Sequence, residues 1–524
     1  MKLVLYDTTL RDGAQAEGVH FSLGDKLRLA ERLAEFGIHY IEGGWPGSNE
    51  KDIEFFKAAK DRNWGAAKIA AFGSTRKPET SVELDAQVKL LLDAETPVVT
   101  FFGKTWLLHV TDVLRTTADE NKRMIADTTA FLKQRGREVI YDAEHFFDGY
   151  FDNPAYALET LQAAADAGAD SIVLCDTNGG RLPSEIREAT LAVKEKFSVP
   201  IGIHTHDDCG LAVANAIAAV DAGALHVQGT FNGYGERTGN CNLTTVIPIL
   251  EIKMRKTVLP ENKLAQLREI SRFVDELANQ NPDTRAPFVG ISSFAHKGGM
   301  HVNAINKVAS SFEHIDPALV GNTQRVLVGE LSGRTNIMMK ARQLGIQLDE
   351  KSERTRQILQ KIKKLESQGY EFEAADASFE LLVLKSLEIV KPFFKLNEYH
   401  ASVRKNATHG FSTCEATLKI EVDDHLMKTV DDGDGPVNAL DGALRKALIQ
   451  RYPQLAKMHL VDYKVRIINP TAGTAAKIRV LIQSTDGQKE WGTVGVSDNV
   501  IEASWQALTD SIEYFLLKSQ AQES

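Results

Sequence analysis

His204-Thr205-His206 closes an apolar run, and residues two apart on an extended strand face the same side, so both imidazoles can reach one cation. Alone, such a pair is as readily two satisfied polar residues at a strand end. Asp7-Thr8-Thr9-Leu10-Arg11-Asp12-Gly13 brings a carboxylate and a guanidinium to the end of another run. Adjacent residues do not share a face of a regular strand. A turn permitted by Gly13 would let Asp12 join the histidines on a metal while Arg11 faces an oxyanion. An isolated Arg-Asp pair is by default a surface ion pair of little worth. The third segment, Gly233-Tyr234-Gly235-Glu236-Arg237-Thr238-Gly239-Asn240, is a Gly-rich loop whose final amide can offer an oxygen ligand. A plain turn accounts for its glycines, but not for the way all three segments fit one pattern.

These residues need a scaffold that gathers strand ends. Short β-rich apolar runs at 3–9, 40–44, 68–73, 98–103, 139–144, 171–176, 201–206 and 226–231 alternate with stretches of helical period. Eight such units predict a (β/α)8 TIM barrel of α/β class, with the site on the face where the strands end. Helix starts are marked by Ser22, Asn49, Asn153-Pro154 and Pro183-Ser184, and helix ends by Gly37, Gly168 and Gly223. Past about residue 255 the alternation stops, and charged helical stretches follow near 260–280 and 350–368. From about 378, FELLVLKSLEIV, EATLKIEV, VDYKVRII and AKIRVLIQST read as strands, with helices at 438–451 and 502–517. The expected division is a catalytic barrel at 1–257, a helical linker subdomain at 258–385 and an α+β regulatory domain at 386–524.

A chain of 524 residues, 43% hydrophobic and 25% charged, is that of a folded globular protein with more than one domain. Its net charge of −10 provides no basic stripe for a phosphate backbone, so nucleic acid is excluded as a partner. The first residues lack the apolar core of a secretory signal, and no apolar run reaches the roughly 18 residues of a membrane span. Cys175, Cys209, Cys241 and Cys414 show no CxxC spacing, which suits a reducing, cytoplasmic setting.

Together, DTTLRDG at 7–13, HTHDDCGLAVAN at 204–215 and NGYGERTGN at 232–240 resemble the metal-dependent barrel lyases and synthases that include isopropylmalate, homocitrate and citramalate synthases. The resemblance spans nearly the whole chain. EGGWPGSNEKD at 42–52, AEHFFDGY at 143–150, HKGGMH at 296–301 and FEHIDPALVGN at 312–322 look most like the citramalate synthase group. That implies condensation of acetyl-CoA with pyruvate and water, giving citramalate and CoA. The alternatives are a 2-isopropylmalate or homocitrate synthase, a 3-hydroxyacyl-CoA lyase, or an amino-acid sensor with an inactive barrel.

By that resemblance, Asp12, His204, His206 and Asn240 bind a divalent metal, for which mixed N/O ligands admit Mg, Mn or Zn. Arg11 stabilises the alkoxide, Glu144 and Thr177 hold and activate the substrates with Tyr141 counted beside them, and His301 is the base for the acetyl methyl group. Phe312 stands where many relatives carry a tyrosine, so a hydroxyl relay is absent there or supplied by another residue. The tail from about 390 resembles a regulatory domain for a branched-chain amino acid, with isoleucine the expected effector and the loop at 469–476 its expected holder. The resemblance also implies a homodimer with shared sites.

Overall fold

The computed structural model describes residues 3–327, 334–349, 352–405, 412–468, 473 and 476–523. The chain divides into two compact units, Met1–Phe294 with Ile315–Thr323, and Ala295–His314 with Gln324–Ser524.

In the first unit eight parallel strands close into a barrel in sequence order. They are β1 (Val4–Asp7), β2 (Tyr40–Gly44), β3 (Lys68–Ser74), β4 (Val98–Lys104), β5 (Glu138–Glu144), β6 (Ser171–Asp176), β7 (Ile201–Thr205) and β8 (His226–Gly229). The pleat sends alternate residues to opposite faces. Tyr6, Ala70, Val98, Ile140, Val173 and Cys175 fill the barrel, while Leu5, Val99, Phe101, Tyr141, Leu174 and Ile203 join the larger core under the helices. Helix boundaries follow local chemistry. Ser22 and Asp25 form a capping box on the helix Leu23–Phe36, whose end is turned by Gly37 at φ 111°. Asn49 and Asn153 cap the next predicted starts, the latter with Pro154 in the first turn.

The barrel unit does not stop at the expected residue 257. The helix Leu267–Leu277 packs on the helix Leu23–Phe36. It also braces the loop after β8, because Asn232 Nδ2 donates to Ser271 O at 2.8 Å and to Asp275 Oδ1 at 2.6 Å. A boundary at 257 would strip the loop carrying Asn240 of this support.

The second unit opens on the helix Gly299–Lys307 and the paired short strands Ala295–His296 and Arg325–Val326. Its later part repeats one order twice, three antiparallel strands followed by a helix. The first set is Lys395–Lys405, Ser412–Val422 and His425–Gly433 with the helix Pro436–Leu448. The second is His459–Ile467, Ile478–Thr485 and Glu490–Ser497 with the helix Val500–Glu523. One expected strand is wrong: FELLVLKSLEIV belongs to a helix, Asp376–Ser386, and the turn after it. That helix buries Phe379, Leu381 and Val383, while the neighbouring Ser378 donates to Asp510 Oδ2 at 2.7 Å. Burial around most of its circumference erases the polar stripe that would have marked a helical period. Of the expected 258–385 subdomain, residues 324–385 fall in the second unit with the C-terminal residues. Most of the loop singled out for an effector, Asn469 to Ala476, lies outside the described residues.

Candidate active site

His204 on β7 and His206 just beyond it do share a side, with ring centroids 5.2 Å apart and Nε2 atoms 3.3 Å apart. Asp12 Oδ2 lies 3.6 Å from His204 Nε2. Asn240 Nδ2 is 3.2 Å from that same carboxylate oxygen and 3.3 Å from His204 Nε2. All four side chains are buried. Gly13 is not the hinge that brings Asp12 in: Asp12 is right-handed helical at φ −62°, ψ −45°, and leads into the short 3-10 turn Gly13–Gln15. A Cβ at 13 would make a tight contact with Thr9 Cγ2, at 3.3 Å.

Burial lowers the pKa of His204, and lowers that of His206 to about 3 with help from His204, so both rings are neutral ligands at physiological pH. Burial raises the Asp12 pKa, but Arg11 and the two imidazoles outweigh it and hold the group below the usual carboxylate value. Among the described residues, no three His, Cys, Asp or Glu side chains are spaced as a finished metal cage. The donor set nevertheless fits one: two neutral imidazoles, a carboxylate and an amide. His206 Nδ1 and Asn240 Oδ1 are buried polar atoms without a hydrogen-bond partner. Turning the Asn240 amide end for end would give the cluster an oxygen where it now has an NH2. Gly235 leaves room for that amide, since a Cβ there would lie 1.9 Å from Asn240 Oδ1. Gly235→Ala is therefore expected to destabilise the protein by about 1–3 kcal/mol through overpacking, measured by denaturant unfolding.

Arg11 sits beside this cluster, its side chain 14% exposed, with Nε 2.6 Å from Glu42 Oε1 and Nη1 2.5 Å from Asp12 Oδ1. Its guanidinium carbon stands 3.7 Å from the centroid of Phe72. Burial pulls the Arg11 pKa down, but Asp12 and Glu42 more than compensate, so the charge is fixed. Glu42, fully buried at the end of β2, also accepts from Tyr6 Oη at 2.6 Å.

Arg11, Asp12, His204 and His206 open on a cavity of about 220 Å³ whose lining also includes Trp45, Phe72, Phe102, Asp142, Glu144, Cys175 and Thr177. Trp45 meets both phenylalanines edge to face at 5.8 and 5.7 Å, which makes one wall apolar. Glu144 is paired with Lys104 across the strand ends. Thr177 Oγ1 accepts from the His145 backbone N–H at 2.9 Å, leaving its hydroxyl proton free to donate into the cavity.

Two predicted residues stand elsewhere. Tyr141 is three residues from Glu144 on β5 and has the opposite parity. Its ring packs 5.5 Å from Phe101 in the core beneath the helices, and its hydroxyl lies 3.5 Å from Gly103 O and beside Thr160. Choosing Tyr141 as a substrate contact was an error of strand face, and Asp142 is the residue turned to the cavity. Tyr141→Phe is expected to leave KM for both substrates unchanged, as steady-state kinetics would show. His301 belongs to the second unit, on the helix Gly299–Lys307, exposed and stacked at 4.3 Å on the ring of Phe312. The residues overlooked were Glu42, Asp142, Gln228 and the three aromatic wall residues. Parity along β3, β4 and β5 could have found Phe72, Phe102 and Asp142, since each occupies an inward position near a strand end.

The family described as HMGL-like matches residues 2–274, the homocitrate synthase post-HMGL domain-like family residues 288–370, and the LeuA allosteric (dimerisation) domain residues 373–516. The fold and its site thus define an enzyme of the HMGL-like barrel class. An (R)-citramalate synthase of Aquifex aeolicus is 54% identical, with 99% of this chain and 98% of the relative covered. Another, of Geobacter sulfurreducens, is 51% identical with 99% of each covered. A 2-isopropylmalate synthase of Methanocaldococcus jannaschii is 30% identical, covering 99% of this chain and 96% of the relative. The chain belongs to the citramalate synthase family.

Proposed function

We propose that the protein condenses acetyl-CoA with pyruvate and water to give citramalate, of R configuration as in the relatives' names, and CoA. The observation that carries this reading is the fixed Arg11 charge beside the Asp12, His204, His206 and Asn240 donors, at the mouth of a cavity sized for a small keto acid. The nearest alternative is a 2-isopropylmalate synthase activity, the name of a more distant relative at 30% identity.

A divalent cation, Mg²⁺, Mn²⁺ or Zn²⁺, held by those four donors would supply Lewis acidity toward the keto carbonyl. Arg11 faces the oxygen that gains negative charge as the new carbon–carbon bond forms at C2 of pyruvate. Thr177 donates its hydroxyl proton to bound substrate, and the apolar wall of Trp45, Phe72 and Phe102 excludes water from the pyruvate methyl group. Glu144 helps hold and activate acetyl-CoA. His301 takes the proton from the acetyl methyl group, with Phe312 offering no hydroxyl beside it. Water then cleaves the thioester, releasing CoA and a carboxylate, and that hydrolysis makes the overall reaction favourable.

The dimerisation domain supports a homodimer, and the edge strand His459–Ile467 leaves Leu460, Val465 and Ile467 exposed for such a contact. We assign isoleucine as effector and the cytoplasm as location. Among the described residues no helix is long and apolar enough to cross a membrane. The deciding assay follows free CoA thiol with acetyl-CoA and one keto acid at a time. Preference for pyruvate supports the reading, whereas preference for 2-ketoisovalerate or 2-ketoglutarate transfers the protein to a sister activity. Silence with every metal would reopen the lyase and sensor alternatives.

A further inference from the structure

Behind His204 runs a chain of buried polar contacts to which the reaction above gives no role. Asp142 Oδ1 accepts from Gln228 Nε2 at 3.0 Å, and Gln228 Oε1 stands 2.8 Å from His204 Nδ1. Gln228 is 0% exposed and Asp142 4%, so water does not substitute for either contact. The orientation of the Gln228 amide sets the direction of each bond in this chain. An Asp142 carboxyl that is ionised, or that carries its proton on Oδ2, accepts at Oδ1 and takes the NH2 end of the amide, as the 3.0 Å contact from Gln228 Nε2 has it. The amide oxygen is left for the imidazole, and because it only accepts, His204 Nδ1 must carry the ring proton. The lone pair of the neutral ring then lies on Nε2, the atom directed at Asp12, His206 and Asn240. His206 has no comparable support, since its Nδ1 is buried without a partner.

We propose that Gln228, oriented by Asp142, is a positioning residue that locks His204 in its Nδ1–H tautomer and so presents Nε2 as a ready-made cation ligand. The proposal rests on the metal reading above and names what prepares the site. Histidine ligands commonly receive this support from a carboxylate. An amide in that place transmits the same orientation without adding a fourth buried carboxyl group to Glu42, Asp142 and Asp12.

The test reads the tautomer directly. In metal-free protein labelled with ¹⁵N-histidine, the His204 resonances, assigned by their loss in His204→Gln, are expected to report a proton on Nδ1. Gln228→Leu is expected to mix the tautomers and to weaken Mn²⁺ binding, measured by calorimetry, by about 10–100-fold. Gln228→Glu keeps an acceptor toward Nδ1 and is expected to recover most of that affinity, a rescue that a merely space-filling role would not predict. An Nε2–H tautomer in the wild type overturns the proposal, as does a Gln228→Leu protein with unchanged tautomer and Mn²⁺ affinity. If Gln228→Leu does not fold, the wild-type tautomer and Gln228→Glu still decide. A wild type that binds no Mg²⁺, Mn²⁺ or Zn²⁺ removes the metal reading instead, and the tautomer readout then judges Gln228 by itself.

Discussion

Arg11→Lys is expected to lower kcat by about 10²–10³-fold while KM for pyruvate and acetyl-CoA changes little, the signature of a group whose stabilisation appears mainly in the transition state. The guanidinium is held from two sides, by Glu42 through Nε and by Asp12 through Nη1, with its carbon 3.7 Å from the centroid of Phe72. Those contacts use a planar fork. An ammonium at the end of a lysine stem has neither the fork nor the fit over the ring, so it cannot keep Glu42 and Asp12 satisfied and also face a developing alkoxide. Loss of the Nε contact also leaves the fully buried Glu42 with Tyr6 as its remaining short partner, so a modest drop in unfolding midpoint should accompany the kinetic effect. A variant with raised KM and unchanged kcat would show instead that Arg11 binds ground-state pyruvate. Steady-state kinetics with a thermal unfolding control separates the two.

What could be read without coordinates, and what could not, follows from the range of the interactions involved. The eight strands and their helix caps are legible because each rests on neighbours a few residues away, as Ser22 rests on Asp25 and Asn49 on Asp52. His204 and His206 are legible for the same reason, their shared side being a property of one strand. Glu42 and Gln228 are not, because each is a polar residue in an apolar run, and only the closed barrel brings β2 and β8 around one mouth. Tyr141 shows the complementary error: an aromatic near a motif drew attention, although strict alternation from Glu144 already turned it away. The helix Asp376–Ser386 was misread because its continuous apolar run carries no period to distinguish helix from strand.

Exhaustive dialysis against a chelator is expected to abolish condensation and to lower the unfolding midpoint, with both restored by one divalent cation in preference to the others. The reason lies in the buried cluster itself. Two neutral imidazoles with Nε2 atoms 3.3 Å apart, an Asp12 carboxylate held ionised, and an amide oxygen without a partner make a set that a cation would satisfy better than the groups satisfy one another. Any ligand that binds only the folded state stabilises it, by about 2.7 kcal/mol at 100 times its dissociation constant. The midpoint of metal-loaded protein should therefore rise with cation concentration. His206→Ala removes one ligand without touching the Gln228 chain behind His204, so it should flatten that concentration dependence and remove activity while the metal-free protein stays folded. Restoration by Zn²⁺ at trace levels would favour the imidazole pair as the dominant donors, whereas a need for millimolar Mg²⁺ would give more weight to Asp12, Asn240 and substrate oxygens. Full activity in protein shown by elemental analysis to be metal-free would leave Arg11 as the main group polarising the keto carbonyl, and would require another explanation for four buried donors converging on one point.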